Sequence, residues 1–329
     1  MPRVLITPVQ FSDPDAAYFR SLPEAGMELV FPKDQRYTGD PAALARELAG
    51  IDAAIASTEP YTAEVLGASN LRVVARTGVG YDSIDVPAAT ANKTLVTITP
   101  GAVDVSVAET TLALIFAVYR DVVARDREAR SGVWKRQAMP RLAGKTLGIV
   151  GLGRIGKTVA RLAKGVHLQV IAHDPFADET AATEASVQLM DVDDLLRAAD
   201  IVSLHTPCTP ETANFIRQET LAMMKADAVL INTGRGGLVN EDDLYRAMCD
   251  GHLLGAALDV FHQEPTPTDN PLLSLPNVVA APHTAGLDHQ SQIDMPRIAA
   301  ECVARLYRGD WPEGCVINAS LRDTWTWDR

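Results

Sequence analysis

Cysteine pairs, basic charge and long apolar runs are what this 329-residue chain has little of. Its four cysteines, Cys208, Cys249, Cys302 and Cys315, stand apart, with no C-x-x-C pair and no metal-like spacing. They read as reduced thiols of a cytoplasmic protein, and no metal is expected. Lys and Arg number 30 against 42 Asp and Glu, a net charge of −12. That balance argues against a nucleic-acid footprint or an anionic-membrane surface. It leaves room for a small anionic ligand, since a few local arginines outweigh a global field. The longest apolar run, near Leu112–Val118, is too short to cross a bilayer. The first residues lack the apolar stretch of a signal peptide. A soluble cytoplasmic protein is therefore expected, with no nucleic-acid or membrane partner.

What the chain does have is an ordinary globular composition, 47% apolar and 22% charged, and a length that suggests about two domains. Residues 1–100 repeat a strand–helix rhythm. Strands are predicted at Arg3–Thr7, Met27–Val30, Ala53–Ser57, Val73–Ala75 and Leu95–Thr97, with helices near 13–25, 41–49, 62–67 and 85–91. Such alternation implies a parallel sheet with helices on its faces. Pro100-Gly101 marks a hinge, and one long helix is predicted from Asp104 to Ser131, closed by Gly132. Later strands are expected at Ile201–His205, Ala228–Asn232, Ala256–Val260 and Val278–Ala281. A last helix, about 289–308, leads to a tail expected to pack back on the N-terminal domain.

The most informative stretch is 144–174. Thr146–Val150 is a β-forming apolar run, followed at once by Gly151-Leu152-Gly153-Arg154-Ile155-Gly156 and by a helical pattern over 154–164. A second apolar run, Leu168–His173, ends at Asp174, 18 residues after Gly156. Each part suits a dinucleotide. Gly151 allows a tight turn, Gly153 lets the backbone approach a pyrophosphate, and Gly156 lets helix pack on strand. The helix N-terminus offers N–H groups, including those of Arg154 and Ile155, to the phosphates. Asp174 would accept from the ribose hydroxyls and repel a 2′-phosphate, and residues 175–179 hold no Arg to receive one, so NAD is expected over NADP.

Four further stretches fall at predicted C-terminal strand ends, where open parallel sheets bind ligands. These are His205-Thr206-Pro207, Asn232 to Gly237, Ala257 to Pro265, and Ala281 to Gly286. With RTGVGYDSID (76–85), SVAETTLALI (106–115), LAGKTLGIVGLGRIG (142–156), INTGRGGLV (231–239), ALDVF (257–261), QEP (263–265) and APHTAG (281–286), they make the chain resemble the D-isomer-specific 2-hydroxyacid dehydrogenases over nearly its whole length. This is the group that includes phosphoglycerate dehydrogenase and hydroxypyruvate/glyoxylate reductases.

The resemblance implies an α/β fold of two doubly wound parallel-sheet domains. A Rossmann NAD-binding domain (101–286) would be inserted in a discontinuous flavodoxin-like substrate domain (1–100 plus 287–329). It implies a homodimer, with the 104–131 helix and Gly132-Val133-Trp134-Lys135 near the interface. It also implies a catalytic trio of Arg235, Glu264 and His283. An imidazole fits the proton transfer that must accompany hydride transfer at a carbinol carbon. Glu264 would fix its tautomer and favour the imidazolium, and Arg235 would hold the substrate carboxylate and polarise its carbonyl. Thr206, Pro207, Thr233, Gly234 and Gly286 resemble residues lining the nicotinamide side. Asp259 resembles the residue that binds the carboxamide, a turn aspartate being the other reading of it.

Val79 and Gly80 would present N–H groups to the substrate carboxylate, and Arg76 would serve a larger anion or a structural ion pair. Two departures stand out. Val103 occupies a place where many relatives have Asn, and Ser57-Thr58-Glu59-Pro60 lacks the Arg often used on phosphate. The substrate is thus a small 2-oxo or 2-hydroxy acid of open identity. An NAD(H)-sensing regulatory protein on the same scaffold is the alternative function.

Overall fold

In the computed structural model, which describes residues 1–32, 39–177 and 179–328, the chain divides into two units. One is Met1–Val103 with Asp288–Arg329, and the other is Asp104–Leu287. The first unit is built on β1 (Arg3–Ile6), α1 (Ser21–Glu24), β2 (Glu28–Val30), α2 (Pro41–Glu47), β3 (Ala53–Ala56), α3 (Ala63–Gly67), β4 (Val73–Arg76), α4 (Val86–Ala91) and β5 (Leu95–Thr97). The strands form an all-parallel sheet in the order β2-β1-β3-β4-β5. That is the flavodoxin-like order.

Because strand side chains alternate, each strand feeds two cores. Val4, Ile6, Ala53, Ile55, Val73, Ala75 and Leu95 share one. Leu5, Ala54, Ala56, Val74 and Val96 share the other, with Leu44, Leu48, Val65, Leu66 and Ala89 from α2–α4 and the ends beside them. Side chains at the caps start those helices. The Asp40 carboxylate accepts the Ala42 N–H at 2.9 Å, and Asp85 accepts that of Ala88 at 2.9 Å. The helix expected near 13–25 is cut down to a 3₁₀ turn at Ala17–Phe19 and α1. Pro23 lacks an N–H and tolerates only the first turn of a helix, so α1 begins two residues before it.

The second unit runs α5 (Asp104–Tyr119), α6 (Val122–Arg130), β6 (Thr146–Val150), α7 (Arg154–Gly165), β7 (Gln169–His173), α8 (Glu179–Ala185), β8 (Gln188–Leu189), α9 (Val192–Ala198), β9 (Ile201–Leu204), α10 (Gln218–Met223), β10 (Val229–Asn232), α11 (Glu241–Cys249), β11 (Gly255–Leu258) and β12 (Val278–Ala280). Its seven parallel strands lie in the order β12-β11-β10-β9-β6-β7-β8. Counted from β6 this is the Rossmann order, extended by one strand. The fold class is thus α/β with two parallel sheets, as expected.

The single helix predicted over 104–131 is two. Asp121 takes a left-handed conformation, φ 51°, and separates α5 from α6. α5 buries Ala108, Leu114, Ile115, Val118 and Tyr119 against the sheet, whereas α6 buries nothing. It is laced instead by ion pairs such as Arg130–Asp126 at 2.8 Å. Once the apolar stripe ended there was no packing to hold a continuous axis, and Asp is among the side chains that adopt αL.

The chain then returns to the first unit. α12 (Ser291–Tyr307) lays Ala299, Ala300, Val303, Ala304 and Leu306 on the β1/β3/β4 face. The tail beyond it runs antiparallel to β5. Ile98 N–H donates to Cys315 C=O, and Ile317 N–H to Val96 C=O, both at 2.9 Å. Asn318, also buried, accepts the Val96 N–H at 2.9 Å and donates to Thr94 C=O at 2.8 Å. This covers an edge that would otherwise present unpaired backbone.

Candidate active site

The register of the second sheet decides what meets. Val150 pairs with Leu204, Leu204 with Asn232, Asn232 with Leu258 and Leu258 with Ala280. Gly151, His205, Thr233, Asp259 and Ala281 therefore leave their strands side by side along one sheet edge.

At β6 the glycine turn closes as its sequence implies. Gly151 has φ +97°, and a Cβ there would sit 2.6 Å from His205 C=O, so no other residue fits. Gly156 lies on the Gly151 carbonyl. Gly153 is different, because nothing lies within 4 Å of where its Cβ would be. It is the N-cap of α7, without a side-chain cap. The N-terminal N–H groups of α7, beginning with Arg154 and Ile155, are thus left for an anion in a space that a side chain would narrow. Asp174 braces the turn. Its Oδ2 accepts the Leu152 N–H at 2.7 Å and its Oδ1 that of Phe176 at 2.8 Å. Each oxygen keeps a lone pair for a hydroxyl donor.

His205 follows β9, and its Nε2 lies 2.8 Å from the Ser203 hydroxyl. Burial pushes the imidazole down to about 4, so the ring is neutral near pH 7. Thr206 beside it is half-buried and Pro207 exposed.

After β10, Asn232 does a task that motif reading missed. Its buried side chain accepts the Gly234 N–H at 3.0 Å and donates to Arg235 C=O at 2.8 Å. It thereby closes the turn that carries the arginine. Thr233 is fixed from α5, its hydroxyl 3.1 Å from that of Thr111. Gly236 abuts the Phe261 carbonyl, which draws the arginine turn against the loop after β11. The only signal for Asn232 in the sequence is an amide at the end of a fully apolar strand.

Asp259 is 1% exposed. Its Oδ1 accepts the Thr284 N–H at 2.8 Å, its Oδ2 the Ala285 N–H at 2.9 Å, and its backbone carbonyl the His283 N–H at 2.7 Å. These three bonds hold the turn in which His283 adopts φ 54°, and Gly286 ends it. A side chain at φ > 0 persists only where its surroundings over-determine it, and Asp259 supplies that. His283 Nδ1 lies 2.6 Å from Glu264 Oε2, while Glu264 Oε1 accepts the Phe261 N–H at 2.9 Å. Burial raises the Glu264 carboxyl. The hydrogen bonds from His283 and Phe261, with the charges of His283 and Arg235, outweigh it and leave the group below its ordinary range. Arg235, half-buried, donates from Nη1 to Gly234 C=O at 2.7 Å. Arg235, Glu264 and His283 thus lie within electrostatic reach of one another.

Residues 112–285 match a family model described as D-isomer specific 2-hydroxyacid dehydrogenase, NAD binding domain. The chain belongs to that family. It is 44% identical over 266 residues to a glyoxylate reductase of Korarchaeum cryptofilum, covering 79% of this chain and 80% of the relative. A D-3-phosphoglycerate dehydrogenase of Methanocaldococcus jannaschii is 40% identical over 252 residues, which is 76% of this chain but 48% of the relative. The chain spans about half the length of such relatives. A D-lactate dehydrogenase of Aquifex aeolicus, solved with NAD and lactic acid, superposes with a TM-score of 0.83 at 27% identity, over 96% of this chain and 98% of that one.

Family membership makes the protein an NAD-dependent oxidoreductase acting on CH–OH groups, and the glycine turn, the uncapped α7 and Asp174 fit that cofactor. Among the described residues no cluster of His, Cys, Asp or Glu suits a metal ion, and no helix is long and apolar enough to cross a membrane.

The remaining sequence candidates lie in the first unit. Arg76 ends β4, and its guanidinium folds over the Cα of Gly78 (φ +138°), leaving Val79 and Gly80 half-exposed in the turn that follows. Val103 is buried. Glu59, also buried, accepts the Ser57 N–H at 2.6 Å.

Proposed function

We propose that the protein interconverts a small 2-oxo acid and the corresponding D-2-hydroxy acid, with His283 as the proton carrier. The observation that carries the reading is the 2.6 Å contact between His283 Nδ1 and Glu264 Oε2. NADH supplies the hydride when bound. Glu264, anionic and anchored on the Phe261 N–H, takes the Nδ1–H of His283, which leaves Nε2 to give a proton to the developing alkoxide. In the oxidative direction neutral Nε2 takes the hydroxyl proton. Arg235 binds the substrate carboxylate and offsets charge on the oxygen, in a turn preset by Asn232.

The Arg154 and Ile155 N–H groups at α7 would hold the pyrophosphate and Asp174 the ribose, and Thr206, Pro207, Thr233, Gly234 and Gly286 would line the nicotinamide side. Asp259 holds the His283 turn, and its carboxylate oxygens, each with one N–H bonded, keep acceptor capacity for the NH2 of a carboxamide. Val79, Gly80 and Arg76, in the first unit, are proposed as substrate-binding residues, Arg76 for a substrate with a second anionic group. Glyoxylate is the first acid to test, given a relative's name, and hydroxypyruvate is next, given the family resemblance.

His283→Ala should lower turnover of 2-oxo acids with NADH by ~10²–10⁴-fold and leave NADH affinity nearly unchanged. Near-normal kcat in that variant would remove the mechanism. A protein that binds NADH but turns over no acid in the panel would be a sensor instead. A cytoplasmic homodimer completes the proposal, supported by Trp134, 84% exposed beside exposed Val133, and by four free cysteines. Light scattering at micromolar concentration should give twice the chain mass of 35.4 kDa; a monomer mass would exclude it.

A further inference from the structure

A carboxylate stands beside the proposed pyrophosphate cradle. Asp104 is the first residue of α5 and is buried. Its Oδ2 accepts the Nε–H of Arg154 at 2.8 Å, while its Oδ1 is buried and has no hydrogen-bond partner. Arg154 is the first residue of α7, immediately after the open space at Gly153. Its side chain is 66% exposed. Arg154 is thus a cation next to the helix N-terminus, held in an ion pair by Asp104.

The pairing has little to offer as a structural clamp, because an ion pair with one solvent-exposed partner contributes little to stability. Its cost is plain, since one carboxylate oxygen is desolvated without compensation. The feature makes physical sense in relation to the anion. An unmasked guanidinium beside two phosphates would tighten the dinucleotide in both redox states equally, and such uniform binding slows cofactor exchange without favouring the transition state.

We propose that Asp104 is a brake on dinucleotide affinity: by neutralising Arg154 it lowers the positive charge at the pyrophosphate site and keeps the cofactor exchangeable. This rests on the reading that the pyrophosphate lies at the N-terminus of α7. Asp104 acts through Arg154 and touches no reacting atom, so it is a positioning residue.

The test is binding without turnover. ADP-ribose and adenosine are titrated calorimetrically into the unmodified protein and into Asp104→Asn, a near-isosteric change that removes the charge and makes one acceptor oxygen an amide donor. ADP-ribose should bind Asp104→Asn ~3–10-fold more tightly, with a steeper loss of affinity as salt rises. Adenosine, which has no phosphate, should be unaffected. Unchanged or weaker ADP-ribose binding in a folded Asp104→Asn protein overturns the proposal. If that variant does not fold, Asp104→Ser, which also removes the charge, decides. It too should bind ADP-ribose ~3–10-fold more tightly, and unchanged or weaker binding overturns the brake. Should the unmodified protein fail to bind ADP-ribose at all, the nucleotide site itself is misplaced and this inference goes with it.

Discussion

Glu264 is a carboxylate anchored from two sides, by His283 and by the Phe261 N–H. Its carboxyl is held below the ordinary range, chiefly because hydrogen bonds from His283 and Phe261 overcome the penalty of burial. It therefore stays anionic on the acid side, where the proposed mechanism needs His283 protonated to reduce a 2-oxo acid. Reduction should fall as pH rises and imidazolium is lost, while oxidation climbs across the same range. Glu264→Gln removes the anion but keeps a hydrogen-bonding shape. Both limbs should move to lower pH, and stopped-flow or steady-state pH profiles would read the displacement. Profiles that do not move would mean that Glu264 holds the ring without setting its charge. The residue pair was legible in sequence, since it lies within two short motifs. Asn232 and Asp259 were less so, because what they bond to is backbone, and backbone partners leave no mark on residue type.

At the scale of elements, the strand–turn–helix of β6 and α7 could be read almost residue by residue, because glycine, apolar period and acidic terminus all pointed the same way. The break at Asp121 could not, since it arises where packing stops rather than where a breaker residue stands. The end of β9 carries a prediction of its own. His205 is held down to about 4 by burial, whereas an unfolded-chain imidazole titrates near ~6.5. The unfolded state then binds a proton that the folded state refuses. Stability contributed by the neutral ring is complete above ~6.5 and is lost as pH falls toward 4, by at most ~3 kcal/mol for a ring that is partly accessible. His205→Gln should flatten the melting temperature between those limits. An equally steep acid decline in that variant would assign the effect to other groups.

At the scale of the whole chain, a parallel sheet followed from the strand–helix rhythm and the two sheet orders from the family resemblance; the return of the tail to the first unit was expected, but its antiparallel pairing with β5 was not, since a few irregular residues carry no period. Asn318 fastens that tail through Val96, Thr94 and the Thr90 hydroxyl. Asn318→Ala leaves buried backbone groups unpaired and should cost ~2–4 kcal/mol. Chemical denaturation would read it, and a loss under ~1 kcal/mol would show that the tail is held by its apolar contacts alone.

The route of the chain has a consequence for how it is made. Strands β1–β5 leave the ribosome before the inserted unit, yet the face shared by Val4, Ile55 and Val73 is covered by α12, which is translated after it. At elongation rates of roughly 5–20 residues per second, nearly two hundred residues (Asp104–Leu287) must emerge in between, on the order of ten seconds or more. The inserted unit is contiguous and can close as soon as it clears the exit tunnel. The unit begun first waits with an apolar sheet face uncovered, so nascent chains halted before residue 291 are the form of this protein for which a chaperone has the most to do.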